Sequence, residues 1–341
     1  MAAMDRVWLK RVGFSALAVI VVVSGILSLP TLLKIDVRYE QNRDFSAMRE
    51  QFPVTVNPKE KTIVEDPRVD AFLGSPGSPL QAAAGDVVNV FGRVFAWVAT
   101  AVADSSLYQS IAGTDGRFVD ISPGMRKEQV VNAFADVLGW NADQKKQFLT
   151  ASPYSPLPLS EGSFSPGVYL VTKDTTPLMA QALVNQRFSE EILAHYSTTT
   201  AAVVPLKEAL IVASLVEREA GGPDDMRTIS GIIWNRLFIN MPLQIDATLQ
   251  YAKASDTTAM GWWPRVLPTD QFRRSPYNTY LHAGLPPAPI ATPSVAAVLA
   301  ALNPKKTSCL FYFHDAARGF HCSDTYAEHV VLLKKYYGQG K

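Results

Sequence analysis

The chain has 341 residues, 48% of them hydrophobic and 18% charged, with a formal net charge of +1. That much apolar material buries at least one sizeable core and excludes a chain disordered throughout. A near-neutral balance lacks the basic field of a general nucleic-acid binder, so nucleic acid is not an expected partner.

Arg6, Lys10 and Arg11 precede a run from Gly13 to Leu33 that carries no charged residue and ends at Lys34 and Asp36. About 20 apolar residues cross a bilayer core, and this run is longer than the apolar part of a usual signal peptide, with no small-x-small cleavage pattern after it. We read 13–33 as a single transmembrane anchor in the cytoplasmic (inner) membrane rather than a cleaved signal. The positive flank puts residues 1–12 in the cytoplasm and the chain from Lys34 onward outside. From 36 to about 84 the chain is polar with scattered prolines and the turn-rich Gly74-Ser75-Pro76-Gly77-Ser78-Pro79, a pattern expected of a stalk or linker. Within the otherwise unassigned 34–115, residues 86–104 place Val87, Val90, Phe91, Val94, Phe95 and Val98 at helical spacing, which predicts a core or docking helix. Arg93 and the short length disfavour a second span.

Phe118 to Ile121 predicts a short strand and Ser122-Pro123-Gly124 a turn. Lys127 to Leu138 predicts an amphipathic helix stopped at Gly139, and Asn141 to Leu149 a second one. A loop from Glu161 leads into a strand near Tyr169, and a helix from Pro177 to Tyr196 connects onward, so 116–203 reads as a small α+β module. In the last region, 204–341, helices are expected from Pro205 to Ile239 and irregular Pro/Gly-rich loops from Met241 to Pro293. A hairpin turning at Asp315 to Gly319 precedes a final helix near Ala327 to Tyr336. The fold class is α+β, with an N-terminal membrane helix and a mainly helical last domain carrying a β-hairpin. Cys309 and Cys322 flank that turn, compatible with either a cross-strand disulfide or two buried thiols, since the register is open. The five histidines contain no short ligand pair, so no metal site is expected.

The chemistry concentrates where the apolar helix Ala209 to Ala220 ends in Glu217 and Glu219 before Gly221-Gly222-Pro223. Carboxylates are mildly unfavourable at a helix C-terminus, where the dipole is negative. The plain account is that both are solvated or paired with Arg218, Lys207 or Arg227. Residues two apart on a helix project roughly 200° apart, so at most one faces a given cleft. Glu219 stacks over Val212, Leu215 and Val216, and Glu217 over Leu210, Ala213 and Ser214. The bulkier apolar surround favours Glu219 as an acid with a raised pKa, leaving Glu217 as the alternative. Downstream, Gln244, Asp246 and Thr248, with Tyr277 and Asn278 of Ser275 to Tyr280, are candidates to bind sugar hydroxyls, acetamido groups and pyranose faces, with Asp246 supporting the site.

Taken together and in order, ASLVEREA, the Asn235-Arg236 pair, LQIDAT, SPYNTY, GLPPAPIATP, ALNP and SDTYAEH resemble the YceG-like endolytic transglycosylases. The resemblance is close from about Val204 to Val330 and extends more loosely back to Phe118 through SPGM and SEGSFSPGVY, where that family has a LysM-like module. Ile245 and Ala247 depart from the family's usual LQTDPT, and Phe320-His321-Cys322-Ser323 departs from its usual His-x-Phe-Ser. Carried over by motif, the acid is Glu219.

The resemblance implies a cofactor-free, extracytoplasmic lyase of peptidoglycan glycan strands. It would cut the bond between N-acetylmuramic acid and N-acetylglucosamine, leave 1,6-anhydro ends and terminate strand elongation beside the cell-wall synthases. A non-catalytic glycan-binding scaffold of the same machinery is the alternative reading, and hydrolysis by the same glutamate is the alternative chemistry.

Overall fold

A computed structural model describes residues 51–74, 116–153, 159–256 and 261–338, with short helical stretches at 24–25, 27–32, 34–35, 98–99 and 101–102. Most of the expected anchor (13–33) and of the expected helix at 86–104 lies outside the described residues. Among the described residues no helix is long and apolar enough to cross a membrane. The architecture is mixed α+β and mostly helical, and the three sheets found among the described residues are two-stranded and antiparallel.

The first described segment corrects the sequence reading. Residues 51–74 form a minimal hairpin, β1 (Val56–Asn57) and β2 (Thr62–Ile63), followed by helix α1 (Pro67–Gly74), and they belong to the core rather than to a linker. Phe52, Val56, Ile63, Val69 and Leu73 are buried in the same cluster as the helices of the last region. The Thr55 N–H donates to the Leu302 carbonyl (3.0 Å) and the Asn303 amide to that of Pro53 (2.8 Å). Arg227 pairs with Asp70 at 2.7 Å. These apolar residues are few and separated by prolines and charges, so no period of 2 or 3.6 marks them.

β3 (Gly116–Ile121) and β4 (Gly167–Thr172) pair with Phe118 opposite Leu170, and α2 (Lys127–Leu138) and α3 (Ala142–Leu149) lie between them in sequence. Gly139 ends α2 in the left-handed conformation and the Asn141 side chain caps α3, which is why the two helices separate where they do. Phe134, Trp140, Phe148 and Tyr169 fill this module's core. α4 (Pro177–Glu191) stops five residues short of the expected Tyr196, and a single 3-10 turn (Leu193–His195) completes the stretch. α5 (Thr198–Val203) follows.

The last region is built on α6 (Leu206–Glu219), α7 (Pro223–Phe238) and α9 (Val295–Leu302). Every residue of α9 from Ala296 to Leu302 is buried, so it forms the centre against which α6 and α7 pack. Gly231 lets the segment after α9 pass close over α7: a Cβ there would stand 2.2 Å from the Lys305 carbonyl oxygen.

A second correction concerns the stretch expected to be loop. Asp246–Asp256 is helix α8, whose buried face carries Ala247, Leu249, Tyr251 and Ala252. β5 (Phe311–His314) and β6 (Phe320–Ser323) form the expected hairpin, followed by α10 (Tyr326–Tyr337). Cys309 and Cys322 are joined by a disulfide that closes the base of that hairpin.

The small module is docked directly under the end of α6. Gly124 and Met125 exchange backbone hydrogen bonds with Thr292 (2.8 and 2.7 Å). Gly124 has φ +79°, and a Cβ there would lie 3.0 Å from the Arg218 guanidinium. Buried Arg126 lays its guanidinium over the Tyr251 ring of α8 (4.1 Å) and donates to Ser255 (3.0 Å).

Candidate active site

α6 delivers its two carboxylates to different places, as the helical spacing requires. Glu217 turns to the N-terminus of α9, where one oxygen accepts from the Ser294 N–H (2.9 Å) and hydroxyl (2.6 Å). Ser294 is the N-cap of that helix, so the carboxylate also sits at the positive end of its dipole. Glu217 is thus occupied in joining two core helices.

Glu219, the last residue of α6, faces a cleft of ≈ 790 Å³. Its Oε2 accepts from the Tyr312 hydroxyl (2.8 Å) and its Oε1 lies 3.4 Å from the Ala247 N–H at the start of α8. Burial raises its pKa, opposed by the hydrogen bonds from Tyr312 and Ala247 and reinforced by the nearby charge of Asp246. Tyr312 is held well above the ordinary phenol range by its own burial and by Glu219, so its hydroxyl keeps the proton that it donates to Glu219. Among the described residues, the ion pairing that the sequence offered as the plain account is not formed. Arg218 lies over the Trp263 ring (3.9 Å), and Arg227 is engaged with Asp70.

One side of the cleft carries Gln244, Asp246 and Tyr280. The other carries aromatic rings of the hairpin and α10, including Phe311, Phe313, Tyr326 and His329. Asp246 accepts from the Tyr280 hydroxyl at 2.7 Å. Gln244 has φ 51°, and its N–H donates to the Thr279 carbonyl (3.1 Å), which fixes the bend from which α8 starts. Arg236 ties the two walls together, donating to the Leu310 carbonyl (2.6 Å) before the hairpin and to that of Leu243 (2.5 Å) before α8. Its neighbour Asn235 donates to the Thr307 and Cys309 carbonyls (2.7 and 3.2 Å). His314 reaches the same cleft, held at 2.5 Å by Asp225, whose carboxylate also accepts from the Gly221 and Gly222 N–H groups.

Of the residues picked from sequence, Glu219, Gln244 and Asp246 share this cleft. Three others do not line it. Thr248 is fully buried, with its hydroxyl on the Ile245 carbonyl (2.6 Å) and beside the Thr279 hydroxyl (3.0 Å). Asn278 is fully buried too, donating to the Gln271 and Arg273 carbonyls while accepting from the Tyr280 N–H, so it braces its loop from inside. Tyr277 packs on Tyr251 with ring centroids 4.7 Å apart. Sequence reasoning missed Tyr312, Tyr280 and Arg236. The only signals for them were the aromatic run at 311–313 and membership of the NR and SPYNTY strings.

The sequence profile of the YceG-like family matches residues 98–335. The chain belongs to the YceG-like family. Two curated proteins named endolytic murein transglycosylase match it in part. That of Streptococcus pneumoniae is 30% identical over 162 residues, 47% of this chain and 29% of the relative. That of Bacillus subtilis is 33% identical over 178 residues, 52% of this chain and 48% of the relative. The matched stretch is thus less than half of either relative's length. In fold, this YceG-like chain is similar to a crystal structure of a yceG-like protein from Listeria monocytogenes, with a TM-score of 0.55, 23% identity, and coverage of 63% of this chain and 75% of that one.

Proposed function

We propose that the protein is an endolytic murein transglycosylase in which Glu219 is the acid. The observation that carries the reading is a largely desolvated carboxylate at the end of α6, kept apart from Glu217 and opening onto a cleft with a polar side and an aromatic side. Membership of the YceG-like family and the names of the two curated relatives support it.

In this reading a glycan strand lies in the cleft with sugar faces against the hairpin and α10 rings. Glu219, whose protonated form burial favours, gives its proton to the oxygen between N-acetylmuramic acid and N-acetylglucosamine as that bond breaks. The resulting carboxylate, steadied by the Tyr312 hydroxyl, takes the proton of the muramic acid C6 hydroxyl as that oxygen closes onto C1. The product carries a 1,6-anhydro ring and Glu219 is again protonated, so no water is consumed and no second carboxylate is required. Gln244 and Asp246 orient the sugar. Asp246 in the same cleft also favours a second product reading, in which it positions a water and the strand is hydrolysed.

The reading extends to location and partners. The run at 13–33 anchors the chain in the cytoplasmic membrane with its cleft outside, where nascent strands leave the synthases and where cleavage would end their elongation. The test is the mass of products from uncrosslinked strands. An anhydro end, lighter by one water than a reducing end, supports transglycosylation, and reducing ends throughout would assign hydrolysis instead.

A further inference from the structure

Immediately after Tyr280, which lines the Glu219 cleft, the chain enters a second concavity of ≈ 560 Å³. Leu281, His282 and Leu285 line it together with Arg274, Ser275 and Pro287. The two clefts share one loop, with Ser275 at one end and Tyr280 at the other, and the buried Asn278 braces that loop between them. Among the described residues that line it there is no carboxylate. Arg273 is consumed by Asp256 and Asp270 (2.5 and 3.5 Å), whereas Arg274 makes no ion pair among the described residues and is exposed, as is His282. Leu281 is 48% exposed, an apolar surface set beside those two nitrogen-bearing side chains. A cationic corner over an aliphatic floor complements a short peptide that carries free carboxylates and small aliphatic side chains.

We propose that this cleft receives the peptide stem of the glycan substrate, with Arg274 taking a stem carboxylate and Leu281 and Leu285 covering its aliphatic side chains. The inference rests on the functional reading above: a muramic acid bound beside Glu219 bears its stem on the lactyl group, and the loop that both clefts share offers that stem a way from one cleft to the other.

The test uses the full chain and two strand preparations that differ only in the stem, one intact and one stripped of peptide by an amidase. The ratio of cleavage rates is read for the unmodified protein, Arg274→Gln and Arg274→Lys, with thermal unfolding as the check on folding. The unmodified protein is expected to prefer intact strands. Arg274→Gln should reduce that preference roughly three- to tenfold, the scale of one or two exposed charge pairs, and Arg274→Lys should keep most of it. A ratio unchanged by Arg274→Gln overturns the subsite. Failure of the unmodified protein to cleave either preparation overturns the functional reading instead. Titration with a soluble muramyl peptide then decides the subsite alone: binding weakened by Arg274→Gln supports it, and binding unaffected by that change overturns it.

Discussion

At the scale of single residues, two glutamates two positions apart have unlike surroundings. Glu217 commits one carboxylate oxygen to the Ser294 N–H and hydroxyl, so Glu217→Ala should destabilise the fold by about 1–2 kcal/mol through loss of those two hydrogen bonds, measured by denaturant unfolding. Glu219 keeps its acid character through burial, and the Tyr312 hydroxyl pulls the other way by favouring the carboxylate. Tyr312→Phe should therefore raise the pKa of Glu219 further. In the proposed mechanism Glu219 works only while protonated, so the alkaline limb of the pH–rate profile should move to higher pH, with a turnover loss of roughly tenfold because the carboxylate formed on proton transfer loses its donor. A limb that moves to lower pH would contradict the assignment. That the two glutamates part to different surroundings was legible in sequence, because residues two apart on a helix project to different faces. Thr248 and Asn278, candidates from sequence for binding sugar, are buried away from the cleft, because a polar side chain that braces a loop and one that meets a ligand look alike until burial is known.

The elements divide in the same way. α2, α3 and the hairpin turn stand where spacing and turn chemistry put them, since Gly139, Asn141 and the Asp315–Gly319 stretch are strong local signals. α8 was hidden because its polar first residues looked like a binding loop, although its buried face recurs at 247, 251 and 254. Residues 51–74 were hidden because their burial depends wholly on partners in residues 192–302. Two predictions belong here. Gly231→Ala drives a Cβ into the Lys305 carbonyl and should destabilise by about 1–3 kcal/mol in unfolding measurements, without touching the cleft. The Cys309–Cys322 bond closes a short loop around the hairpin that holds Tyr312 against Glu219. Its reduction should lower stability by about 2–3 kcal/mol and reduce turnover in parallel, both readable before and after a reductant.

Across the whole molecule, the module spanning β3 to β4 is docked against the last region beside the end of α6. Its Glu161 accepts from the Lys127 N–H, while the adjacent Gly162 lies against Pro289 of the last region. Burial raises the Glu161 pKa from 4.5 to about 8. A folded pKa above the unfolded one means that its contribution to stability is fully present below about pH 4.5 and is lost as pH rises through about 8. Glu161→Gln keeps an acceptor oxygen and removes the titration. It should raise the melting temperature at pH 8 by at least about 2 °C and flatten its pH dependence, whereas an unchanged profile would contradict the buried acid.

The most direct test of the central claim is turnover of uncrosslinked glycan strands by Glu219→Gln and Glu217→Gln, with melting temperature measured on the same samples. The account predicts that Glu219→Gln loses at least about 100-fold in rate while its stability is unchanged or higher, because a neutral amide replaces a desolvated acid. Glu217→Gln should keep measurable cleavage. Cleavage retained by a folded Glu219→Gln, or abolished in an equally stable Glu217→Gln, would contradict it.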